Sequence, residues 1–134
     1  MMYLVDTDWI VAYLKGRSEA TKLLSGLAPA GLAISLITYA EIYEGIYFGQ
    51  NPTRQEQGFL SLLTRVTVLP LTEESMKRFA TLRGELRAQG LLIGDLDLLI
   101  AATAIQHHLV LVTRNLRHFQ RIPDLSLYSA NPNN

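Results

Sequence analysis

Five carboxylates lie where apolar runs begin or end, and their spacing is the first sign of chemistry in this chain. Asp6 and Asp8 close the run Tyr3-Leu4-Val5, and Glu41 stands three residues after Thr38. Asp95 and Asp97 stand just before residues 98–104, seven positions of which six are apolar and none is charged. A carboxylate at a buried edge is costly unless it is paired or bound to a cation. No Lys or Arg lies within eight residues of Asp6. An oxygen-only cluster of this kind suits a hard divalent cation, Mg²⁺ or Mn²⁺. Each acid also has a structural reading. Asp6 would begin a turn, Asp8 would cap a helix, and Glu41 completes the capping-box pattern Thr38-x-x-Glu41. Asp95 and Asp97 would gain about 0.3 to 1 kcal/mol each from the positive end of a helix dipole.

Other chemistries find little support. The chain has no cysteine, which excludes a disulfide framework, thiol catalysis and thiolate zinc. His107 and His108 fall at a helix end and His118 in a polar loop, where solvated roles are expected. There is no glycine-rich phosphate loop and no Gly-x-Ser-x-Gly nucleophile elbow.

The acids must be held by alternating strands and helices. Strands are expected at 3–5, 32–35, 66–69, 109–113 and, as a last edge strand, 125–128. Helices are expected at 9–14 with Thr7 or Asp8 as cap, at 19–24 capped by Ser18, and from Thr38 to about 48. A further helix runs from 54 to about 63 behind Thr53. A long one opens at Thr72-Glu73-Glu74 and stops at Gly90, and one turn is expected at 116–119. The stretch from Gly94 predicts a helix buried almost all round, with Leu96, Leu99 and Ile100 as one stripe and Ala101, Ala102 and Ala104 admitting close neighbours. Residues 131–134 read as a frayed tail. This alternation predicts an α/β sandwich with a short, mainly parallel sheet flanked by helices, and ligands at the carboxyl ends of its strands. Asp6 and Asn115 fall at two such ends, and the helices carrying Glu41 and Asp97 would point their first turns to the same edge.

At 134 residues with 49% hydrophobic and 18% charged side chains, the chain reads as one globular domain over 1–134. Its start lacks the basic region of a signal peptide, and no apolar run approaches the roughly 20 residues of a membrane span. No membrane association and a cytoplasmic location are therefore expected. Net charge is zero, but if the five acids share one pit the rest of the chain holds 12 basic against 7 acidic residues, a balance suited to a polyanion. Tyr39, Tyr43 and Tyr47 repeat every four residues, a stripe that reads first as core.

Asp6-Thr7-Asp8 resembles the Asp-x-Asp start of aspartyl-phosphate phosphatases of the haloacid dehalogenase type. Trp9 follows, however, and residues 90–94 offer no lysine before the last acidic pair. A resemblance over essentially the whole chain is to the PIN-domain ribonucleases, in particular the toxin subunits of VapBC toxin–antitoxin pairs. Leu4-Val5-Asp6-Thr7-Asp8 is similar to their first motif, and Ile34-Ser35 through Thr38 to Glu41 to their second. Ile93-Gly94 through Asp97 to Ala102 resembles the third, and Leu111-Val112-Thr113-Arg114-Asn115 with Phe119 the fourth.

The resemblance implies a PIN-like three-layer sandwich and a metal-dependent endoribonuclease. Asp6 and Asp97 would be the principal ligands of one or two Mg²⁺ or Mn²⁺ ions, and Glu41 a ligand or the orienter of the attacking water. Thr113 and Asn115 would be polar groups behind them. Position 115 is often acidic in the family and is Asn here; Asp95 is an extra acid that would replace the missing charge or cap the helix. Lys15, Arg17, Arg114 and Arg117 would receive backbone phosphates or remain solvated surface charges. The implied partners are RNA as substrate, a second copy in a homodimer, and a cognate antitoxin. The antitoxin's C-terminal segment would lie near the Tyr39-Tyr43-Tyr47 helix and cover the active site. Two other readings stay open: an Asp-dependent phosphatase, and a PIN-fold RNA-binding or interaction domain that does not cut, for which Asn115 is the support.

Overall fold

The computed structural model describes residues 2–129, and the expected tail at 131–134 lies outside them. Five short strands form one wholly parallel sheet: β1 (Tyr3–Val5), β2 (Leu32–Ser35), β3 (Thr67–Leu69), β4 (Val110–Val112) and β5 (Ser126–Leu127). Their spatial order is β3-β2-β1-β4-β5. The chain therefore builds outward from β1 to β3 and crosses back to place β4 against β1. That reversal leaves a crevice beyond the carboxyl ends of β1 and β4, the place where open parallel sheets bind ligands.

Seven helices, α1 (Thr7–Leu14), α2 (Ser18–Leu27), α3 (Leu36–Tyr47), α4 (Pro52–Leu63), α5 (Glu73–Ala88), α6 (Asp95–Gln106) and α7 (Leu116–Phe119), complete the fold among the described residues. Period-two alternation along the strands gives each face its own core. Leu4, Ala33 and Leu111 point to one side, packed with Leu82 and Leu86 of α5 and Leu98, Ile100 and Ala101 of α6. Val5, Ile34 and Val112 point to the other, among Ile10, Leu24, Ile42, Ile46 and Phe59. The result is helix on sheet on helix, with α1 to α4 on one side and α5 and α6 on the other.

Several helix starts differ from expectation, and the differences bear on the site. The cap of α1 is Asp6 itself, whose Oδ1 accepts from the Thr7 N–H at 2.8 Å, rather than Thr7 or Asp8. Helix α3 opens two residues earlier than expected, with Ser35 accepting from the Ile37 N–H at 2.9 Å. Thr38 is therefore inside the helix and makes no capping box with Glu41. Asn51, not Thr53, caps α4, whereas Thr72 caps α5 as expected, in a reciprocal box with Ser75. Helix α6 buries Leu98 and positions 100–104, whereas Leu96 in its first turn, expected on the buried stripe, is 49% exposed. No helix among the described residues is long and apolar enough to cross a membrane.

Candidate functional site

Asp6 sits at the crevice. Its backbone N–H donates to the Val112 carbonyl at 2.9 Å, extending the β1–β4 ladder by one residue, and its side chain is only 6% exposed. Thr113, the residue after β4, donates its hydroxyl to Asp6 Oδ2 at 2.6 Å and accepts the Asn115 N–H at 3.0 Å. Burial, the largest influence, pushes the Asp6 carboxyl up from 3.8 to about 6. The Thr113 and Thr7 bonds resist that rise, while the charges of Asp8 and Asp97 add to it. Asp97, in the first turn of α6, is likewise raised, first by burial and then by Asp8, with His118 opposing. Asp6, Asp8 and Asp97 thus share one electrostatic field, and among the described residues none of them has an ion-pair partner.

Glu41 comes to the site from α3 but is held by α1. Thr7 Oγ1 donates to Glu41 Oε1 at 2.6 Å and lies 3.0 Å from Thr38 Oγ1. Asp95 turns away. Its Oδ1 accepts from Arg83 Nε of α5 at 2.8 Å, and it stands in the first turn of α6 without making a side-chain capping bond. Asn115 lies at the start of α7, its Nδ2 2.9 Å from His118 Nδ1. His118 is therefore not the solvated loop residue expected but a half-buried neighbour of Asp97. Its placement three residues after Asn115 on a helical turn is the signal that would have found it. Thr7, which holds Glu41, is the other residue absent from the expected set.

Among the described residues no three acids or histidines converge on one point closely enough to hold a metal ion. Glu41 is engaged with Thr7 and Asp95 with Arg83, which leaves Asp6 and Asp97 as the central pair. In donor chemistry and charge the site nonetheless fits a hard cation: the acids offer only oxygen, Asp8 adds negative charge at both Asp6 and Asp97, and among the described residues no Lys or Arg pairs with any of the three, His118 alone opposing at Asp97.

Two depressions flank the acids. A groove of ≈ 670 Å³ runs between α1, α3 and α4, walled by Val11, Leu14, Ile42 and Ile46 and open above Gly45 and Gly58, with Glu41 at its edge. The tyrosine stripe faces elsewhere. Tyr39 and Tyr43 pack on Phe59 at 5.6 Å between ring centroids, and Tyr43 donates to Glu56 at 2.7 Å, so these two are half-buried against the core rather than inside it, and Tyr47 is exposed. A second cleft of ≈ 520 Å³ opens beside Asp8.

The sequence pattern of the PIN domain family matches residues 3–125. Ribonuclease VapC1 of Haemophilus influenzae is 36% identical over 127 residues, which are 93% of this chain and 95% of that protein. The tRNA(fMet)-specific endonuclease VapC of Salmonella typhimurium is 28% identical over 127 residues, 95% of this chain and 96% of that protein. In the crystal structure of VapBC2 from Rickettsia felis bound to a DNA fragment from their promoter, one chain matches with a TM-score of 0.90 and 32% identity, spanning 98% of this chain and 100% of that one.

Proposed function

Because the chain belongs to the PIN-domain family, and within it to the VapC ribonucleases, we propose that it is a divalent-metal-dependent endoribonuclease and the toxin of a toxin–antitoxin pair. The observation that carries this reading is the buried Asp6, fixed by Thr113 at the crevice between β1 and β4, with Asp97 and Asp8 adding negative charge to it and no Lys or Arg paired with any of the three among the described residues. Asp6, Asp97 and Glu41 would hold Mg²⁺ or Mn²⁺. When bound, the cation supplies a more acidic water and a counter-charge to the phosphorane-like transition state.

The chain's own residues supply orientation and proton transfer. Thr113 and the Thr7 N–H fix both oxygens of Asp6, so that the carboxylate does not swing. Thr7 holds Glu41 through Oε1, leaving Oε2 to orient the attacking water and take its proton. Asn115 and His118 form a polar wall beside Asp97 in place of a further carboxylate. The match to a ribonuclease over 93% of the chain, and the lack of a lysine at residues 90–94, speak against the phosphatase alternative.

The reading includes a cognate antitoxin, supported by the VapBC assembly of the Rickettsia relative. Its segment would seat in the groove beside Glu41, on a different face of α3 from the tyrosines. It also includes a homodimer in the cytoplasm. Exposed Leu91, Leu92, Leu96 and Leu116 offer apolar surface for self-association. Light scattering should give about twice 15.0 kDa, and a mass of one chain at working concentration would remove the dimer.

Cleavage of RNA is the direct test, with tRNA the first substrate to try because one relative is named for it. Cleavage should require Mg²⁺ or Mn²⁺, stop in chelator, and fall to background in Asp97→Asn while the variant still melts cooperatively. Undiminished cleavage in chelator would overturn the metal assignment.

A further inference from the structure

The ≈ 520 Å³ cleft between α1, α2 and the turn joining β4 to α7 plays no part in the chemistry above, yet it begins where the acids end. We propose that it binds the phosphodiester backbone of single-stranded RNA on one side of the scissile bond, and that Glu19 occupies Arg114 until a phosphate displaces it. The proposal rests on the ribonuclease reading and names the track by which that substrate enters.

Val11 and Ala12 floor the cleft, Lys15, Arg17 and Arg114 stand around it, and Asp8 lies at the end nearest the acids. Asp8 stands two residues after Asp6, and Arg114 directly follows Thr113, which is bonded to Asp6, so the cleft lies beside the acids. Three cations lining a concavity that opens on a carboxylate cluster reproduce what a nuclease needs: the strand's phosphates held by positive charge and one phosphate delivered to the acids. Lys15 and Arg17 make no ion pair among the described residues.

Arg114 is more constrained. It directly follows Thr113, whose hydroxyl is fixed on Asp6, so its backbone is registered to the site. Its guanidinium lies over the Trp9 ring, 4.2 Å from the centroid, and its Nη2 meets Glu19 Oε1 at 2.8 Å. A guanidinium backed by an indole presents its N–H edge outward, the geometry that receives a carboxylate or a phosphate bidentately. Glu19 fills that edge in the free protein. The pair is open to water, with side chains 41% and 69% exposed, so it is readily exchanged for a phosphate held also by Lys15 and Arg17.

Trp9 is the chain's single tryptophan and reports on the exchange. The full chain, stripped of metal by chelator so that it does not cut, is titrated with a labelled single-stranded RNA oligonucleotide over a range of salt. RNA should change Trp9 emission, and salt should reverse the change. The double variant Lys15→Gln, Arg17→Gln should flatten the log–log salt dependence of binding by about 1.4, two contacts at about 0.7 each for a single strand. Arg114→Gln should bind more weakly, and Glu19→Gln more tightly by up to about fivefold, the upper end for an exposed pair. Thermal melts of each variant report folding. Wild-type affinity and salt slope in the double variant would overturn the track, and weaker binding by a folded Glu19→Gln would overturn the exchange. RNA cleavage by the metal-loaded wild type separates the two claims. If it cuts while the variants bind as it does, the cleft assignment alone fails; if it neither cuts nor binds, both fail.

Discussion

Asp6 is a buried acid that works against the fold whenever it is ionised without a cation. Its carboxyl lies at about 6 in the folded protein against 3.8 for the ordinary group. Stabilisation from this group is thus fully present below the ordinary value and is lost as pH rises through about 6. A shift of about two units corresponds to roughly 3 kcal/mol at neutral pH. Removing the charge should recover part of it. In chelator, Asp6→Asn should therefore become progressively more stable than the wild type between pH 4 and pH 7, with most of the divergence accumulated below pH 7. Asn keeps an oxygen for the Thr7 N–H, so the cap of α1 survives the change. Mg²⁺ should then raise the melting temperature of the wild type at pH 7 and leave the variant nearly unmoved, because a cation that binds only the folded chain stabilises it by mass action. Thermal melts across this pH range decide the matter, and parallel curves for the two proteins would show that Asp6 carries no such penalty.

Helix starts place the site's side chains, and two of them separate structural from functional roles on α3. Ser35 caps the helix, so Ser35→Ala should cost about 1 kcal/mol in a melt and leave RNA cleavage close to normal. Thr7→Val should cost about as much by leaving Glu41 without its hydroxyl partner, and cleavage should fall with it. Equal activity in the two variants would mean that Glu41 needs no positioning. The same elements show what was legible beforehand. Strand runs such as Leu4-Val5 and Leu111-Val112 announce a buried parallel sheet by composition, and Thr72 announces α5 by its cap. The start of α3 was misplaced because Ser35 ends β2 and caps α3 at once, which freed Thr38 for a false capping box. Partnerships made across the chain leave no local trace. Asp6 finds Thr113 at a separation of 107 residues and Glu41 finds Thr7 at 34. Arg83 captures Asp95 from a neighbouring helix, whereas Asn115 and His118, three residues apart on one helical turn, are a local pair that the spacing does signal.

At the scale of the whole molecule, the acids are bordered by a cationic cleft on the side of α2 and by a mostly apolar groove on the side of α4, which meet at Val11 and Lys15; under the proposed function the first would take substrate and the second the antitoxin. Two helical glycines, Gly45 and Gly58, line the groove. A Cβ at Gly45 would meet nothing within 4 Å, and one at Gly58 would meet only Leu14 Cδ2 at 3.8 Å, an ordinary contact. Glycine inside a helix costs roughly 1 kcal/mol relative to alanine, so their presence is a local disadvantage that an open groove would explain. Gly45→Trp fills that space from a position with room for the ring's first atoms and without touching Asp6, Asp97 or Glu41. The variant should melt at or above the wild-type temperature and should cleave RNA at the wild-type rate when alone. Inhibition by the cognate antitoxin should weaken by tenfold or more, the loss of about 1.4 kcal/mol that a few displaced apolar contacts produce. Titrating the cleavage reaction with antitoxin measures this directly. Unchanged inhibition of a folded, active Gly45→Trp would show that the partner reaches the acids by another route.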